Sequence, residues 1–207
     1  MSVLSDSAIK SGIETGFIKI EPFNVAQVNP TSYDLTLGDE VVVYERWVTY
    51  DPEWETKVGL GVAFPRDGSD LILRDYVIDL KKEPQVLKWK INPVRGWLLK
   101  PGIGYLLCTR ERVHTDAFVP LITGKSSLGR LFIQVEATGG RVDPGFSGQY
   151  TLQVTVQHPL RVYPGMPIAQ VSFETVEGKI EKLYDGYYAN SQGAMPSQLW
   201  RQVERLD

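Results

Sequence analysis

The sequence predicts an all-β domain, a sandwich or a barrel, and three observations carry the prediction. Apolar residues fall in short alternating runs of strand length. Gly and Pro punctuate these runs throughout, with 19 Gly and 13 Pro in 207 residues. Nothing alternates strand with helix as a βαβ chain would, and there is no internal repeat.

The one clear helical stretch is Leu4–Ile13. Ser5 or Asp6 can cap it, Ala8, Ile9 and Ile13 share a face, and Gly12 and Gly16 keep it short. From Phe17 the pattern turns to strands. Tyr33-Asp34-Leu35-Thr36-Leu37 alternates, and Val41–Tyr44 resumes after a turn expected at Gly38-Asp39. The stretch 47–94 has no helical period and carries Trp47, Trp54 and Trp89 among many charges. It reads as strands and long loops, a candidate insertion within a single 1–207 domain. Trp97–Thr109 returns to strand with a turn at Pro101-Gly102. Leu131–Val135, Gln149–Val156, Leu160–Val162 and Ile168–Phe173 are further strands, and Ser197–Leu206 is expected to form a short terminal helix.

At 207 residues and 43% hydrophobic, the chain can bury one real core. A net charge of −3 gives no basic footprint for duplex nucleic acid. One cysteine excludes an internal disulfide framework and fits a reducing compartment. No run is apolar and long enough to span a membrane, and Met1–Ile20 lacks signal-peptide architecture, so a cytoplasmic location is expected.

Two clusters exceed what a packed core requires. Gly124-Lys125-Ser126-Ser127-Leu128-Gly129-Arg130 sets two hydroxyls and two cations beside flexible backbone, which suits an anion. Its plainer reading is a surface turn leading into a strand. It is not a Walker A loop, because Val119 stands where that motif needs its first Gly. Gly139-Gly140-Arg141-Val142-Asp143-Pro144-Gly145-Phe146-Ser147-Gly148 supplies a carboxylate, a flat apolar ring and glycines that admit a ligand close to the backbone. Its plainer reading is a hairpin with Asp143-Pro144-Gly145 at the tip. The tail Tyr184–Gly193 is polar, aromatic and Gly-rich; its plainer reading, the commoner one for a last segment, is a frayed terminus.

Taken in order, these motifs resemble the dCTP deaminase/trimeric dUTPase superfamily, closest to its dCTP deaminase branch with the bifunctional members. Asn29–Gly38 resembles the N-terminal S-x-D-L-x-L-G motif. Lys100-Pro101-Gly102 and Leu106–Glu111 resemble the strand before the phosphate loop, Gly124–Arg130 that loop, and Arg141–Gly148 the R-[IV]-D-P-G-[FW]-x-G hairpin. Pro164-Gly165-Met166 and Gln192-Gly193-Ala194 match two later signatures. The resemblance covers nearly the whole chain. It implies a distorted jelly-roll-like β-barrel assembled as a homotrimer, with sites between subunits, acting on a deoxypyrimidine nucleoside triphosphate.

It also implies roles. Ser126, Ser127 and Arg130 face the phosphates, with Lys125 where the family has Arg, a point charge in place of a bidentate fork. Ser126 and the backbone at Thr138-Gly139 hold the base and water. Arg141 opens the hairpin, Asp143 orients water on the α-phosphorus, and Phe146 packs on the deoxyribose. Tyr184, Tyr187, Ser191 and Gln192 belong to a closing tail. Mg²⁺ arrives on the triphosphate oxygens, with no protein metal site. Asp34 is read as structural, bonding backbone around its turn. The single cysteine excludes the multi-Cys zinc centre of other cytidine deaminases.

Three departures bear on the reaction. Gln153 stands where the family places the Glu that activates water against C4, and an amide cannot relay that proton. Gln153 can still hydrogen-bond a base edge. Tyr187 and Ser191 replace a family Lys and Gln. Asp143 is intact, so the sequence leans to dUTPase-type pyrophosphohydrolysis. dCTP deamination by an altered constellation stands second, with Glu136 as a candidate substitute base whose preferred, plainer reading is an exposed strand residue, then a regulator that binds nucleotide without catalysis. An unrelated β-sandwich binding module stands last.

Overall fold

The computed structural model describes residues 2–44, 48–50, 71–73, 78–135 and 139–203. A nine-stranded antiparallel sheet dominates them. Its strands are β1 (Lys19–Glu21), β2 (Val28–Asn29), β3 (Ser32–Tyr44), β6 (Val86–Lys90), β8 (Tyr105–His114), β9 (Phe118–Gly124), β10 (Ile133–Val135), β11 (Ser147–Val156) and β13 (Pro167–Thr175). Two further pairs join β4 (Val48–Tyr50) to β5 (Leu71–Leu73), and β7 (Trp97–Leu99) to β12 (Leu160–Val162).

The main order is β10-β11-β8-β3-β13-β9, with β1 on β8 and both β2 and β6 on β3. The two ends of this path meet. A Cβ built at Gly124, on β9, would lie 3.5 Å from Cβ of Val135, on β10. The sheet is thus a nearly closed barrel, as the sequence predicts, and closure removes most of the edge that an open sheet exposes. Alternation builds the core. On β3, Tyr33, Leu35 and Leu37 are buried while Asp34 and Thr36 are turned away from it. Trp97, Tyr33, Tyr105 and Phe173 are the largest fully buried side chains, and Trp89 packs on Trp97 with ring centroids 5.3 Å apart.

Helix α1 (Asp6–Glu14) starts at Ser5, whose hydroxyl accepts from the Ala8 amide at 3.4 Å, and Ile9 anchors it in the core. The terminal helix is one turn, Trp200–Val203, within the expected span. Gly38-Asp39 is not a turn: β3 runs unbroken from Ser32 to Tyr44, with a bulge against β8 between Leu37 and Val41. The physical reason is close approach. A Cβ on Gly38 would sit 2.6 Å from the Cys108 sulfur, so the glycine lets two neighbouring strands touch. Trp47 and Trp54, with most of the candidate insertion, lie outside the described residues.

Candidate active site

Strand β11 supplies the floor of the site. Its alternation buries Tyr150, Leu152 and Val154 and leaves Thr151, Gln153 and Thr155 on the other face. The hairpin before β11 bends over that face. Val142 donates to the Pro120 carbonyl at 2.9 Å and Gly145 to the Thr115 carbonyl at 2.8 Å, which fixes both arms against the ends of β9 and β8. Gly145 has φ +94°, and a Cβ there would meet Leu183 at 2.6 Å, so the tip requires glycine.

These elements enclose a cavity of about 750 Å³. Gly139, Arg141, Asp143, Phe146, Gln153, Tyr184 and Ser191, all expected from the sequence, line it together. Asp143 is exposed and is the only carboxylate among the described lining residues. Phe146 stacks on Tyr150 with centroids 5.5 Å apart and leans on Tyr184 at 5.9 Å. Burial, followed by the charges of Tyr188, Asp143 and Asp185, pushes the Tyr184 phenol above its ordinary pKa, so it stays neutral. Burial alone does the same to Tyr150. Arg141 is half-exposed and reaches toward Glu174 on β13 at 3.7 Å.

The tail walls one side of the cavity by folding onto its own chain. The Ser191 hydroxyl donates to the Gln149 carbonyl at 2.7 Å, and the Gln149 amide N–H donates back to the Ser191 carbonyl at 3.1 Å. Successive tail amides then donate to strand side chains. Gly193 reaches Gln149 Oε1 at 2.7 Å, Ala194 reaches Glu40 Oε2 at 3.1 Å, and Met195 reaches Thr151 Oγ1 at 2.9 Å. Ser191 is buried by this docking, Gln192 is exposed, and Tyr187 lies under the Arg201 guanidinium at 5.7 Å from its ring centroid. Neither Tyr187 nor Gln192 lines the cavity.

The segment expected to face phosphate lies elsewhere on the chain. Ser126–Gly129 forms a single helical turn after β9, and none of Lys125, Ser126, Ser127 or Arg130 lines the cavity. Ser126, Ser127 and Arg130 are exposed. The Lys125 ammonium is half-buried against Asp34, whose Oδ1 also accepts from Asn29 at 2.8 Å. The Asp34 carboxylate therefore bonds side chains and not, as expected, the backbone around its turn. With both partners in place it is also a poor metal ligand. Thr138 and Glu136 lie outside the described residues.

Sequence reasoning missed several lining residues, among them Tyr44, Gln134, Gln149, Thr151 and Thr155. Thr151 and Thr155 were legible, because period-2 alternation puts them on the face of Gln153. Gln149 and Tyr44 act through contacts with the distant tail, for which the sequence holds no local signal.

A family model described as dCTP deaminase-like matches residues 3–58 and 68–176. The chain belongs to the dCTP deaminase-like family. It is 36% identical over 202 residues to a protein of Hathewaya histolytica named dCTP deaminase, dUMP-forming, covering 98% of this chain and 99% of that one. A Leptospira biflexa protein of the same name is 37% identical over 188 residues, 91% of each chain. Among solved structures, the 2′-deoxycytidine 5′-triphosphate deaminase of Agrobacterium tumefaciens superposes with a TM-score of 0.54 at 20% identity, over 84% of this chain and 48% of that one, and supports the fold. This member of the family has, among its described residues, no helix long and apolar enough to cross a membrane and no cluster of three His, Cys, Asp or Glu side chains able to hold a metal.

Proposed function

We propose that the protein converts dCTP to dUMP, releasing ammonia and pyrophosphate. The observation that carries the reading is that Asp143 and Gln153 face one cavity with the Phe146 ring between β11 and the tail. Relatives matching nearly the whole chain are named for this product. Forming dUMP from dCTP requires two water-dependent steps, displacement of the C4 amine and cleavage at the α-phosphorus. The lean toward hydrolysis alone gives way to a reading that contains both.

For cleavage, the Asp143 carboxylate orients a water toward the α-phosphorus, and pyrophosphate leaves. For deamination, water adds to C4, its proton passes to a carboxylate, and the amine departs as ammonia. Gln153 can hydrogen-bond the base edge or the water but cannot hold that proton. Glu136 is the carboxylate to test for this role. Mg²⁺ arriving with the triphosphate would supply charge neutralisation for the leaving pyrophosphate. Asp143 lies in the cavity and Ser126 and Ser127 outside it on one chain, so such an ion would be held through the triphosphate and not by a ligand set of the chain's own.

We also propose that the working form is a homotrimer. The phosphate loop and the cavity are separate on one chain, and a second copy can bring them together. Leu131 and Phe132, which follow the loop, are 51% and 60% exposed, and such apolar side chains beside a site favour being covered. A monomeric mass by light scattering at micromolar concentration would contradict this.

The second reading, pyrophosphohydrolysis of dUTP without deamination, is favoured by Gln153 and by Asp143 being the only described carboxylate in the cavity. Incubation with dCTP or dUTP and Mg²⁺ separates the two. Ammonia with pyrophosphate from dCTP supports the proposal, pyrophosphate from dUTP alone supports the second reading, and neither product contradicts both.

A further inference from the structure

We infer that Asp34 and Lys125 work as one unit that sets the phosphate loop, so that Lys125 is a positioning residue and not a phosphate ligand. The inference rests on the triphosphate reading above and specifies how its loop is held. Asp34 sits on β3 between buried Tyr33 and Leu35, so alternation turns its carboxylate away from the core. There it meets the Lys125 ammonium, across 91 positions of sequence. The two side chains are 19% and 20% exposed, whereas the surface pair Lys10–Asp6 is exposed by more than 40% at both ends.

The carboxylate is fixed from behind. Asn29 donates to its Oδ1 at 2.8 Å, and Gln27 donates to the Asp34 carbonyl at 2.7 Å. Gln27 also reaches the buried Glu111 carboxylate at 3.1 Å, which accepts from the Thr36 amide and hydroxyl at 2.8 and 2.7 Å. Asp34 is thus part of a satisfied polar network on a rigid strand.

Lys125 occupies the entry of the helical turn that presents Ser126, Ser127 and Arg130. Its carbonyl accepts from the Leu128 amide at 3.0 Å and the Gly129 amide at 2.9 Å. Tethering its ammonium therefore tethers the start of the loop. Were the ammonium to move to a phosphate, the Asp34 carboxylate would be left half-buried, without its cation, and facing a polyanion. Removing one member of a shielded pair costs more than an exposed pair gains. Arg130 is exposed and has no ion pair among the described residues, so it can meet phosphate without breaking anything.

The test is calorimetric binding of the α,β-imido analogue of dCTP with Mg²⁺, and of deoxycytidine, to Asp34→Asn, Lys125→Gln, the double variant and the exchange Asp34→Lys/Lys125→Asp. Each single change should weaken analogue binding by about tenfold. The double change should be no worse than either single, and deoxycytidine affinity should not move. Recovery in the exchange variant adds support. Additive losses overturn the inference, as does wild-type or tighter binding by Asp34→Asn beside a loss in Lys125→Gln, the pattern of a lysine that touches phosphate. A general stability role would weaken nucleoside and triphosphate alike and also overturns it. Arg130→Ala is the control. If it binds the analogue as wild type does, the phosphate-loop reading itself has failed.

Discussion

Replacing Gln149 by Ala should release the tail without unfolding the barrel. The Gln149 side chain accepts from the Gly193 amide at 2.7 Å and donates to the carbonyls of Thr109 and Arg110 at 2.9 and 3.2 Å. It clasps the tail to β8. The substitution removes all three bonds and leaves the Gly193 amide without its acceptor. Each bond is worth about 0.5–1.5 kcal/mol net, and the part that holds the tail amounts to about 1–3 kcal/mol. At about 1.4 kcal/mol per tenfold, amide exchange at Gly193, Ala194 and Met195 should quicken by about ten- to a hundredfold. Core amides on β3 and β8 should keep their protection, because the tail is a local unit over an independent core. Tail residues wall the cavity, so nucleotide KM should rise with exchange. Wild-type exchange at these three amides, or an equal loss of protection across the whole barrel, would contradict a locally clasped tail.

Other outcomes follow from single residues. Asp143→Asn should abolish pyrophosphate release while nucleotide binding, by calorimetry, stays near wild type, since shape is kept and the water-orienting charge is lost. Gln153→Glu should raise ammonia release from dCTP, and Glu136→Gln should lower it; an unchanged rate in Glu136→Gln removes that residue as the base. For Glu40, burial alone would raise the carboxyl pKa, but Lys88, Lys90 and the Ala194 amide outweigh burial and hold it below the ordinary value. Its contribution is present above the ordinary carboxylate pKa and lost as pH falls through the lower folded value. Glu40→Gln should therefore cost about 1–3 kcal/mol at neutral pH, a gap to wild type that closes in acid denaturation series. Burial pushes the Cys108 thiol up to about 11, so a thiol reagent at pH 8 should react only after denaturant is added.

The sequence was most legible where a local rule sufficed. Ser5 followed by an apolar face gave α1, and period-2 alternation gave β3 and β11 and so the face of Gln153. The hairpin residues were legible as a cluster because glycines, a carboxylate and an aromatic ring stand together. Illegible features depend on partners distant in sequence. Gly38 looked like a turn because its reason to be glycine is Cys108 on another strand. Ser191 reads as part of a closing tail, and nothing local announces that its hydroxyl bonds the Gln149 carbonyl, 42 positions away. Lys125 reads as a phosphate cation, and nothing near it in sequence announces the Asp34 carboxylate that it meets.

The central claim is that one cavity performs two displacements by water on dCTP. Turnover of dCTP in ¹⁸O-labelled water, with the dUMP examined by tandem mass spectrometry, tests it most directly. The proposed function predicts two labelled oxygens, one at C4 of the base and one on the phosphate. Unlabelled dCTP recovered intact, with label incorporated only on phosphate when dUTP is supplied, would contradict it.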